Sequence, residues 1–330
     1  MTEAPLLKIE NLTTSFHTEH GLLPAVEHVN LTVQPREIVA VVGESGSGKT
    51  VTCLSIIDLV AGKKMFEING SILFEGRELV GADENTMRCL RGNEIGMIFQ
   101  EPMTSLNPVL TVGKQIDESL KTHTNMTRRQ RRKRIVELLH LVGIPEPEKR
   151  VNCYPFELSG GMKQRVMIAM ALCCNPKLLI ADEPTTALDV TIQAQILMLL
   201  KELRDRLGMS IIFVSHDLGV VSNFAERVVV MYAGKVVEEG SVCQVIDSPL
   251  HPYTYGLIES IPRLNQPKDV ELHVIPGNIP DLSNMPAGCR FAPRCPRARP
   301  ECAQRVPEMR EIEAGHSVCC LLFDEKGGKA

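Results

Sequence analysis

The feature that most constrains this chain is a glycine-rich loop between an apolar strand and a helix. The loop reads Gly43-Glu44-Ser45-Gly46-Ser47-Gly48-Lys49-Thr50. It follows the apolar run Ile38–Val42, a predicted buried strand, and a predicted helix extends from Lys49 to about Leu59. Backbone N–H groups of such a loop cradle phosphate oxygens, and the positive end of the helix points at them. In this pattern Lys49 reaches the β- and γ-phosphates of a nucleotide and the Thr50 hydroxyl binds Mg²⁺.

A second apolar strand ends in two carboxylates. The run Leu178–Ala181 is followed directly by Asp182 and Glu183. Ligands of open parallel sheets lie at the carboxyl ends of the strands, so we expect both acids beside the phosphates. Asp182 suits the Mg²⁺ shell, directly or through water, and Glu183 suits activation of the attacking water as a general base. In a chain without the glycine-rich loop, the same pair would be interpreted as two acids capping a strand.

A third motif precedes a helix predicted from Val166 to Cys174. It reads Leu158-Ser159-Gly160-Gly161-Met162-Lys163-Gln164-Arg165. Ser159 is a good N-cap, and that role alone would account for it. A Ser-Gly-Gly helix start is also an anion site. Because one nucleotide does not need two such sites from one chain, we interpret this one as serving the nucleotide of a neighbouring chain.

Strands and helices alternate between Gly160 and about Gly234, which favours an α/β domain with a largely parallel sheet. Strands are predicted at Lys177–Ala181 and Ser210–Ser215. Shorter strands are predicted at Leu6–Ile9 and Val29–Val33.

The pattern is helical from about Glu101 to Leu158 and contains a basic run, Arg128–Arg134, which we interpret as a solvated helix face. After about residue 262, prolines and glycines accumulate and periodicity fades. We place a domain boundary there and expect the remainder to be a small, loop-rich appendage.

Composition limits the function classes. The chain has 330 residues, 44% of them hydrophobic, which is enough for a sizeable core and about two domains. A formal net charge of −4 lacks the basic excess typical of nucleic-acid-binding proteins. No apolar run approaches the roughly 18 residues that span a bilayer, and the first residues show no signal-peptide pattern. We therefore expect any membrane role to depend on partner proteins.

The chain contains 11 cysteines. Those scattered among apolar neighbours are interpreted as small core residues: Cys53, Cys89, Cys153, Cys173, Cys174 and Cys243. The others cluster in the tail: Cys289, Cys295, Cys302, Cys319 and Cys320. Four thiolates converging from a loop-rich segment suit an iron–sulfur cluster or a structural Zn²⁺, and free thiols are the alternative.

In order and spacing, these motifs resemble the ATPase of ABC transporters. The resemblance covers about residues 5 to 240 and includes three further features: Gln100 after Phe99, the turn Ala187-Leu188-Asp189, and His216 after Phe213-Val214-Ser215. It implies a P-loop NTPase fold of the ABC type, with a mainly parallel sheet, an N-terminal antiparallel β part and a helical subdomain at about 101–165. It also implies ATP and Mg²⁺ as ligands and ATP hydrolysis coupled to transport.

The resemblance further implies a head-to-tail dimer with two sandwiched ATP molecules. Each lies between the glycine-rich loop of one chain and the Ser159-Gly160-Gly161 helix of the other, with Asp189 beside it. Gln100 is expected to bind Mg²⁺ and sense the γ-phosphate, and His216 to contact that phosphate. Phe16 occupies the position of an aromatic that stacks on adenine; the alternative is an ordinary core aromatic.

A narrower resemblance points to the oligopeptide/dipeptide importer branch, including the D-type subunit of dipeptide importers. It rests on Phe99–Pro108, His251–Thr254 and the tail from Pro286 onward. It implies an ATPase domain at 1–262, an appendage at 263–330, and a [4Fe-4S] cluster on Cys289, Cys295, Cys302 and Cys320 rather than Cys319.

The implied partners are a paralogous ATPase subunit, two transmembrane permeases and an extracellular peptide-binding protein, with the chain peripheral on the cytoplasmic face of the cell membrane. The branch also includes importers of nickel and other small solutes. The readings from other classes are a soluble ABC ATPase acting on nucleic acid or ribosomes, and a redox protein working through the tail. The first usually carries two cassettes or long coiled coils, and the second leaves the ATPase motifs unexplained.

Overall fold

A computed structural model describes residues 4–19, 21–60, 65–100, 105–186, 188–261 and 274–324. The chain divides into two compact units. The first comprises residues 1–6, 34–37 and 81–213, and the second comprises 7–33, 38–80 and 214–330. Within the described ranges, every helix is too short or too polar to cross a membrane.

The strands of the described residues are β1 Leu7–Thr18, β2 Gly21–Val33, β3 Ile38–Val42, β4 Phe66–Phe74, β5 Arg77–Glu78, β6 Ile95–Ile98, β7 Leu178–Asp182, β8 Ser210–Ser215, β9 Arg227–Tyr232, β10 Lys235–Ser241, β11 Met309–Glu313 and β12 His316–Cys319. The α-helices are α1 Lys49–Ile56, α2 Glu84–Leu90, α3 Val112–His123, α4 Arg128–Leu141, α5 Pro147–Arg150, α6 Gly160–Ala171, α7 Val190–Leu207, α8 Leu218–Ser222, α9 Val242–Asp247 and α10 Pro252–Glu259.

In the first unit, β6 and β7 pair in parallel, with Ile98 opposite Ala181. All five residues of β7 are buried, as expected for a strand covered on both faces. Helices α3, α4 and α6 pack against one another. Their contact buries apolar side chains such as Ile116, Leu138 and Val166, so the region predicted to be helical has a core of its own.

In the second unit, β1, β2, β4 and β5 form an antiparallel sheet in the order β2-β1-β4-β5. A second set of strands includes β3, which pairs in parallel with β9 and has all its residues buried. Strand β9 continues into β10 as an antiparallel pair. The strand Ile38–Val42 has the predicted bounds, whereas the predicted Leu6–Ile9 and Val29–Val33 are parts of the longer strands β1 and β2.

The predicted domain boundary at residue 262 falls outside the described residues. From residue 274 the tail belongs to the second unit. Its strand β12 pairs with β10, Glu238 lying opposite Val318, and β11 pairs with β12. Part of the predicted loop-rich appendage therefore extends a sheet of the second unit, which sequence periodicity alone did not reveal.

Two predictions about surface and core are changed by the structure. Most of the basic run on α4 is exposed, but Arg131 is held by Asp117, with Nε 2.6 Å from Oδ1. The scattered cysteines are not all core residues. Cys53 and Cys173 are buried, whereas Cys153 and Cys174 are half-buried and Cys89 and Cys243 are exposed. An apolar neighbour in sequence does not fix which way a helical side chain points, and this explains the error.

Candidate functional site

The glycine-rich loop connects β3 to α1 in the second unit. Gly48 is the N-cap of α1, and no side chain caps the helix there. The first turn of α1 also contains no acidic residue. The first N–H groups of a helix lack partners within it, so this end suits an anion. These properties of the described loop and helix fit a bound phosphate.

Lys49 follows the last glycine of this loop and begins α1. Its ammonium group donates hydrogen bonds to the carbonyl oxygens of Gly43, at 2.8 Å, and Glu44, at 3.0 Å. The side chain is 5% exposed, so the charge is held against the loop rather than extended into water. Thr50 is exposed, as expected for a hydroxyl that binds Mg²⁺.

Two glycines of the loop are required by their surroundings. A Cβ on Gly43 would lie 2.2 Å from the Met231 carbonyl oxygen. Gly48 has φ 100°, and its Cβ would meet Val26 Cγ2 at 3.2 Å. Close contact with neighbouring backbone thus fixes the loop path, and only glycine fits at either position.

The two predicted acids lie at the carboxyl end of β7 in the first unit. Asp182 is buried, and Glu183 is half-buried with φ 45°. A positive φ is uncommon for a residue other than glycine and is found at strained functional positions. Glu183 Oε2 accepts hydrogen bonds from Gln100 Nε2 and from Thr186 Oγ1, both at 3.0 Å. The structure therefore brings together two of the predicted catalytic residues, Gln100 and Glu183.

The Ser-Gly-Gly motif begins α6, also in the first unit. Ser159 is the N-cap, and its Oγ accepts a 3.4 Å hydrogen bond from the Met162 N–H. Ser159 and Gly160 are exposed, and a Cβ on Gly160 would have no atom within 4 Å. Further along α6, the buried Gln164 donates to the Pro184 carbonyl oxygen. The helix start is thus open to another molecule, while its body contacts the turn that follows Glu183.

The remaining predicted residues occupy several elements. Asp189 is exposed and caps α7, accepting a 2.9 Å hydrogen bond from the Ile192 N–H. His216 is exposed directly after β8. Phe16, in β1, is half-buried, with its ring centroid 4.3 Å from that of Phe66. Ala187, of the predicted Ala187-Leu188-Asp189 turn, lies outside the described residues.

Sequence reasoning missed a set of contacts to the glycine-rich loop at residues 43–50, which is the phosphate loop of this site. The Glu44 N–H donates a 2.8 Å hydrogen bond to Tyr253 Oη, and the Glu44 carboxylate binds Arg294. Burial opposes the charge on Arg294, yet its hydrogen bonds to Glu44 and Tyr232 raise its pKa above the ordinary value. The His251–Thr254 motif was noticed, but nothing in the sequence marked Arg294.

The structure gives the His251–Thr254 motif a physical role. His251 Nδ1 accepts a 3.0 Å hydrogen bond from the Tyr253 N–H and so caps α10, with Pro252 in the first turn. Burial lowers the pKa of His251 to about 4, only partly offset by Glu238. A neutral ring is what a cap that accepts through Nδ1 requires. The motif therefore stabilises the first turn of α10, which contains Tyr253.

The four predicted cluster ligands, Cys289, Cys295, Cys302 and Cys320, lie near one another in the tail. Burial, together with the neighbouring Cys289, Cys295 and Cys302, raises the pKa of Cys320 to about 12. The Cys319 thiol instead donates to the Pro307 carbonyl oxygen, at 3.2 Å. However, no group of three or more His, Cys, Asp or Glu side chains in the described ranges is arranged to hold a metal ion. As placed, the thiols do not form a metal centre.

Comparisons with known proteins agree with these features. Residues 26–186 match the family described as ABC transporter, and residues 237–302 match the oligopeptide/dipeptide transporter C-terminal region. A putative peptide import ATP-binding protein of Brucella ovis is 52% identical over 98% of this chain and 99% of that protein. The oligopeptide transport ATP-binding protein AppD of Bacillus subtilis is 52% identical over 98% of both chains.

Solved structures give the same result for the fold. A dimeric ATP-binding cassette in a post-hydrolysis state, bound to ADP and phosphate, has a TM-score of 0.64 and 32% identity, covering 72% of this chain and 98% of that one. CbiO1 from Clostridium perfringens, part of an ABC transporter complex, has a TM-score of 0.62 and 28% identity, covering 74% and 92%. With the phosphate loop, the acidic strand end and the exposed Ser-Gly-Gly helix start all present, the chain belongs to the ATP-binding subunits of ABC transporters, in the branch that carries the oligopeptide/dipeptide transporter C-terminal region.

Proposed function

We propose that Lys49, Asp182 and Glu183 are the central residues with which this chain hydrolyses ATP, and that hydrolysis drives import of di- or oligopeptides. The observation that carries the proposal is the arrangement around Glu183. Its carboxylate is held by Gln100 and Thr186 at the end of a buried parallel strand, where ligands of such sheets bind. This chain also has the phosphate loop of ABC ATPases. A carboxylate in the position of Glu183 therefore suits activation of the water that attacks ATP.

Each residue then has a defined part. Lys49 and the N–H groups of the loop bind the β- and γ-phosphate oxygens, and Phe16 stacks on the adenine. Thr50, Gln100 and Asp182 would hold Mg²⁺, which would supply positive charge to offset that of the phosphates. Glu183 accepts the proton of the attacking water, and His216 hydrogen-bonds the γ-phosphate.

The second half of the site comes from a facing cassette. Exposure of Ser159 and Gly160 leaves the start of α6 available to the nucleotide of a partner, and Asp189 is exposed as well. A solved relative is described as a dimeric cassette bound to ADP and phosphate, which supports a dimer here, and we propose that its two cassettes face each other head to tail. Closure of the dimer on two ATP molecules and its reopening after hydrolysis would provide the conformational cycle.

Peptide import is supported by the names of the full-length relatives and by the C-terminal region matched at 237–302. The chain would act peripherally on the cytoplasmic face of the cell membrane, with a paralogous cassette, two permease subunits and an extracellular peptide-binding protein as partners. Nickel or another small solute is the alternative cargo. Solute uptake by the reconstituted complex separates these cases.

The [4Fe-4S] cluster stays a prediction about the tail and is not needed for ATP hydrolysis. Its support is the proximity of the four thiols. Cys289, Cys295 and Cys302 are close enough to Cys320 to raise its pKa. Against it stands the lack of a metal-binding group among the described residues. Zinc at the same thiols has the same support and meets the same objection.

The proposal is tested by Glu183→Gln in the purified full-length chain. Removing the general base should slow ATP hydrolysis at least about a hundredfold, while ATP binding remains because the loop is intact. Binding is measured by calorimetry and hydrolysis by phosphate release. Turnover close to wild type would show that the catalytic base lies elsewhere.

A further inference from the structure

An arginine of the tail binds a residue of the phosphate loop. Arg294 Nη1 lies 2.7 Å from Glu44 Oε2, and Nη2 lies 3.1 Å from Oε1, so the pair is bidentate. The Arg294 side chain is 6% exposed and that of Glu44 is 31% exposed. A paired geometry of this kind, largely removed from water, is stronger and more specific than a surface ion pair.

Arg294 is held independently of Glu44. Its Nε donates to the Pro276 carbonyl oxygen at 2.8 Å, and Nη2 donates to Ile275 O at 3.3 Å. The guanidinium carbon lies 5.7 Å from the centre of the Tyr232 ring, in cation–π contact. The arginine is therefore fixed by the tail and by β9, and Glu44 binds to a preformed position.

A second contact holds the backbone of the same loop residue. Tyr253 Oη accepts the Glu44 N–H at 2.8 Å. The ring of Tyr253 packs against Tyr232 and Phe291, with centroids 4.7 and 5.4 Å away. The Glu44 carbonyl oxygen meanwhile accepts from Lys49. All three polar parts of Glu44 are thus engaged, two of them by residues that follow position 250.

The far half of the loop is supported from the same tail segment. Arg290 donates to the Ala233 carbonyl oxygen and pairs with Glu27. The next residue, Gly234, donates its N–H to Ser47 O at 2.9 Å. The tail therefore reaches both sides of the loop, through Arg294 directly and through Arg290 by way of the turn after β9.

Electrostatics gives the Arg294 contact a consequence for nucleotide binding. Glu44 places a carboxylate in a loop that must bind a polyanion, and like charges at short range oppose one another. Arg294 compensates that charge and keeps it turned toward the tail. Without the arginine, the carboxylate would be both mobile and uncompensated beside the phosphates.

We propose that Arg294 is a positioning residue of the nucleotide site, which sets ATP affinity by holding and neutralising Glu44, so that the tail is a working part of the ATPase. This inference rests on the proposed function, because it assumes that ATP binds this loop. Arg294 does not touch the reacting atoms. Its loss should therefore weaken binding while leaving the chemical step unchanged.

The test is Arg294→Ala in the full-length chain. The Kd and KM for ATP should rise about tenfold, equivalent to ~1.4 kcal/mol, with kcat within about twofold of wild type. The Kd of Arg294→Lys should lie between those of wild type and Arg294→Ala. Lysine keeps the positive charge but cannot form the bidentate pair with the carboxylate. The matched control is Arg305→Ala, which removes a tail arginine that pairs with Asp324 and has no bond to the loop; ATP affinity should be unchanged.

A second variant separates charge from folding. Adding Glu44→Gln to Arg294→Ala should recover most of the lost affinity, since no uncompensated carboxylate remains. Hydrogen exchange of the loop amides in nucleotide-free protein should be faster in Arg294→Ala than in Arg305→Ala. Unchanged ATP affinity in Arg294→Ala would overturn the inference, whatever the exchange result. If wild-type chain binds no ATP, the proposed function fails, and the exchange result still decides whether Arg294 holds the loop.

Discussion

The phosphate loop and the acidic strand end are held in place by different kinds of interaction. The loop is held mainly through its backbone and through one carboxylate: Gly43 has no room for a side chain, and Glu44 is fixed through its N–H, its carbonyl and its carboxylate. The strand end depends on side chains, since Gln100 and Thr186 hold the Glu183 carboxylate. Binding and catalysis can therefore be damaged separately, and substitutions in the two regions should have different signatures.

Among the substitutions that act on ATP binding, Gly43→Ala should have the largest effect. A Cβ 2.2 Å from the Met231 carbonyl oxygen forces the loop or β9 to move. Overpacking of this kind costs roughly 1–3 kcal/mol, so ATP affinity should fall by up to about a hundredfold. Calorimetric titration with ATP measures it. Gly76→Ala is the control, because Gly76 also has a positive φ but no atom within 4 Å of its Cβ; equal loss of affinity in both variants would contradict the backbone argument.

Acid should weaken the support behind the loop. Burial lowers the pKa of His251 from its ordinary value of 6.5 to about 4. Between these values the unfolded chain binds a proton that the folded chain does not, so stability is present above about pH 6.5 and is lost as the pH falls. From pH 7 to pH 5 this group alone should remove about 2 kcal/mol from the free energy of unfolding.

Chemical denaturation at both pH values measures that loss. His251→Asn retains a cap without a titrating group, so its stability should depend less on pH than that of wild type. A wild-type chain and a His251→Asn chain with the same pH profile would show that His251 is not the group responsible.

The smallest effect should be that of Ser159→Ala. Loss of an N-cap costs about 1 kcal/mol of stability. If Ser159 also binds a partner's nucleotide, ATP-dependent dimerisation of the Glu183→Gln chain should weaken as well, as measured by analytical ultracentrifugation. Thr127→Ala removes the cap of α4, whose Oγ accepts from the Gln130 N–H. Thr127→Ala should lower stability by a similar amount and leave dimerisation intact. If both variants weakened dimerisation equally, Ser159 would act only as a helix cap.

Local sequence patterns predicted the elements that carry the site. The strand Ile38–Val42 has the predicted bounds, and β7 begins one residue later than predicted and includes Asp182. Both are short apolar runs that end at polar or glycine residues, and burial on two faces leaves such a run little choice of structure. The helix after the loop ends at Ile56 instead of about Leu59, within the usual uncertainty of helix ends.

Features that join distant parts of the sequence were not predictable in this way. The bond between Gln100 and Glu183 joins residues 83 apart, and that between Glu44 and Arg294 joins residues 250 apart. Strand β12 likewise pairs with β10, although a proline-rich segment that was predicted to be loop separates them in the sequence. Pairing partners at such separations depend on how strands stack side by side, and a single sequence carries no local signal of that.

The sequence by itself determined the chemistry: a glycine path for phosphates, a lysine at the start of a helix, two carboxylates at a strand end and an open Ser-Gly-Gly helix start. Each follows from residues within a few positions of one another, because backbone conformation and strand burial are local properties. Only the tertiary structure decided that Arg294 of the tail and Tyr253 of α10 support the phosphate loop. That support depends on a charge pair and a hydrogen bond made after the chain has folded back on itself, where burial gives them their strength.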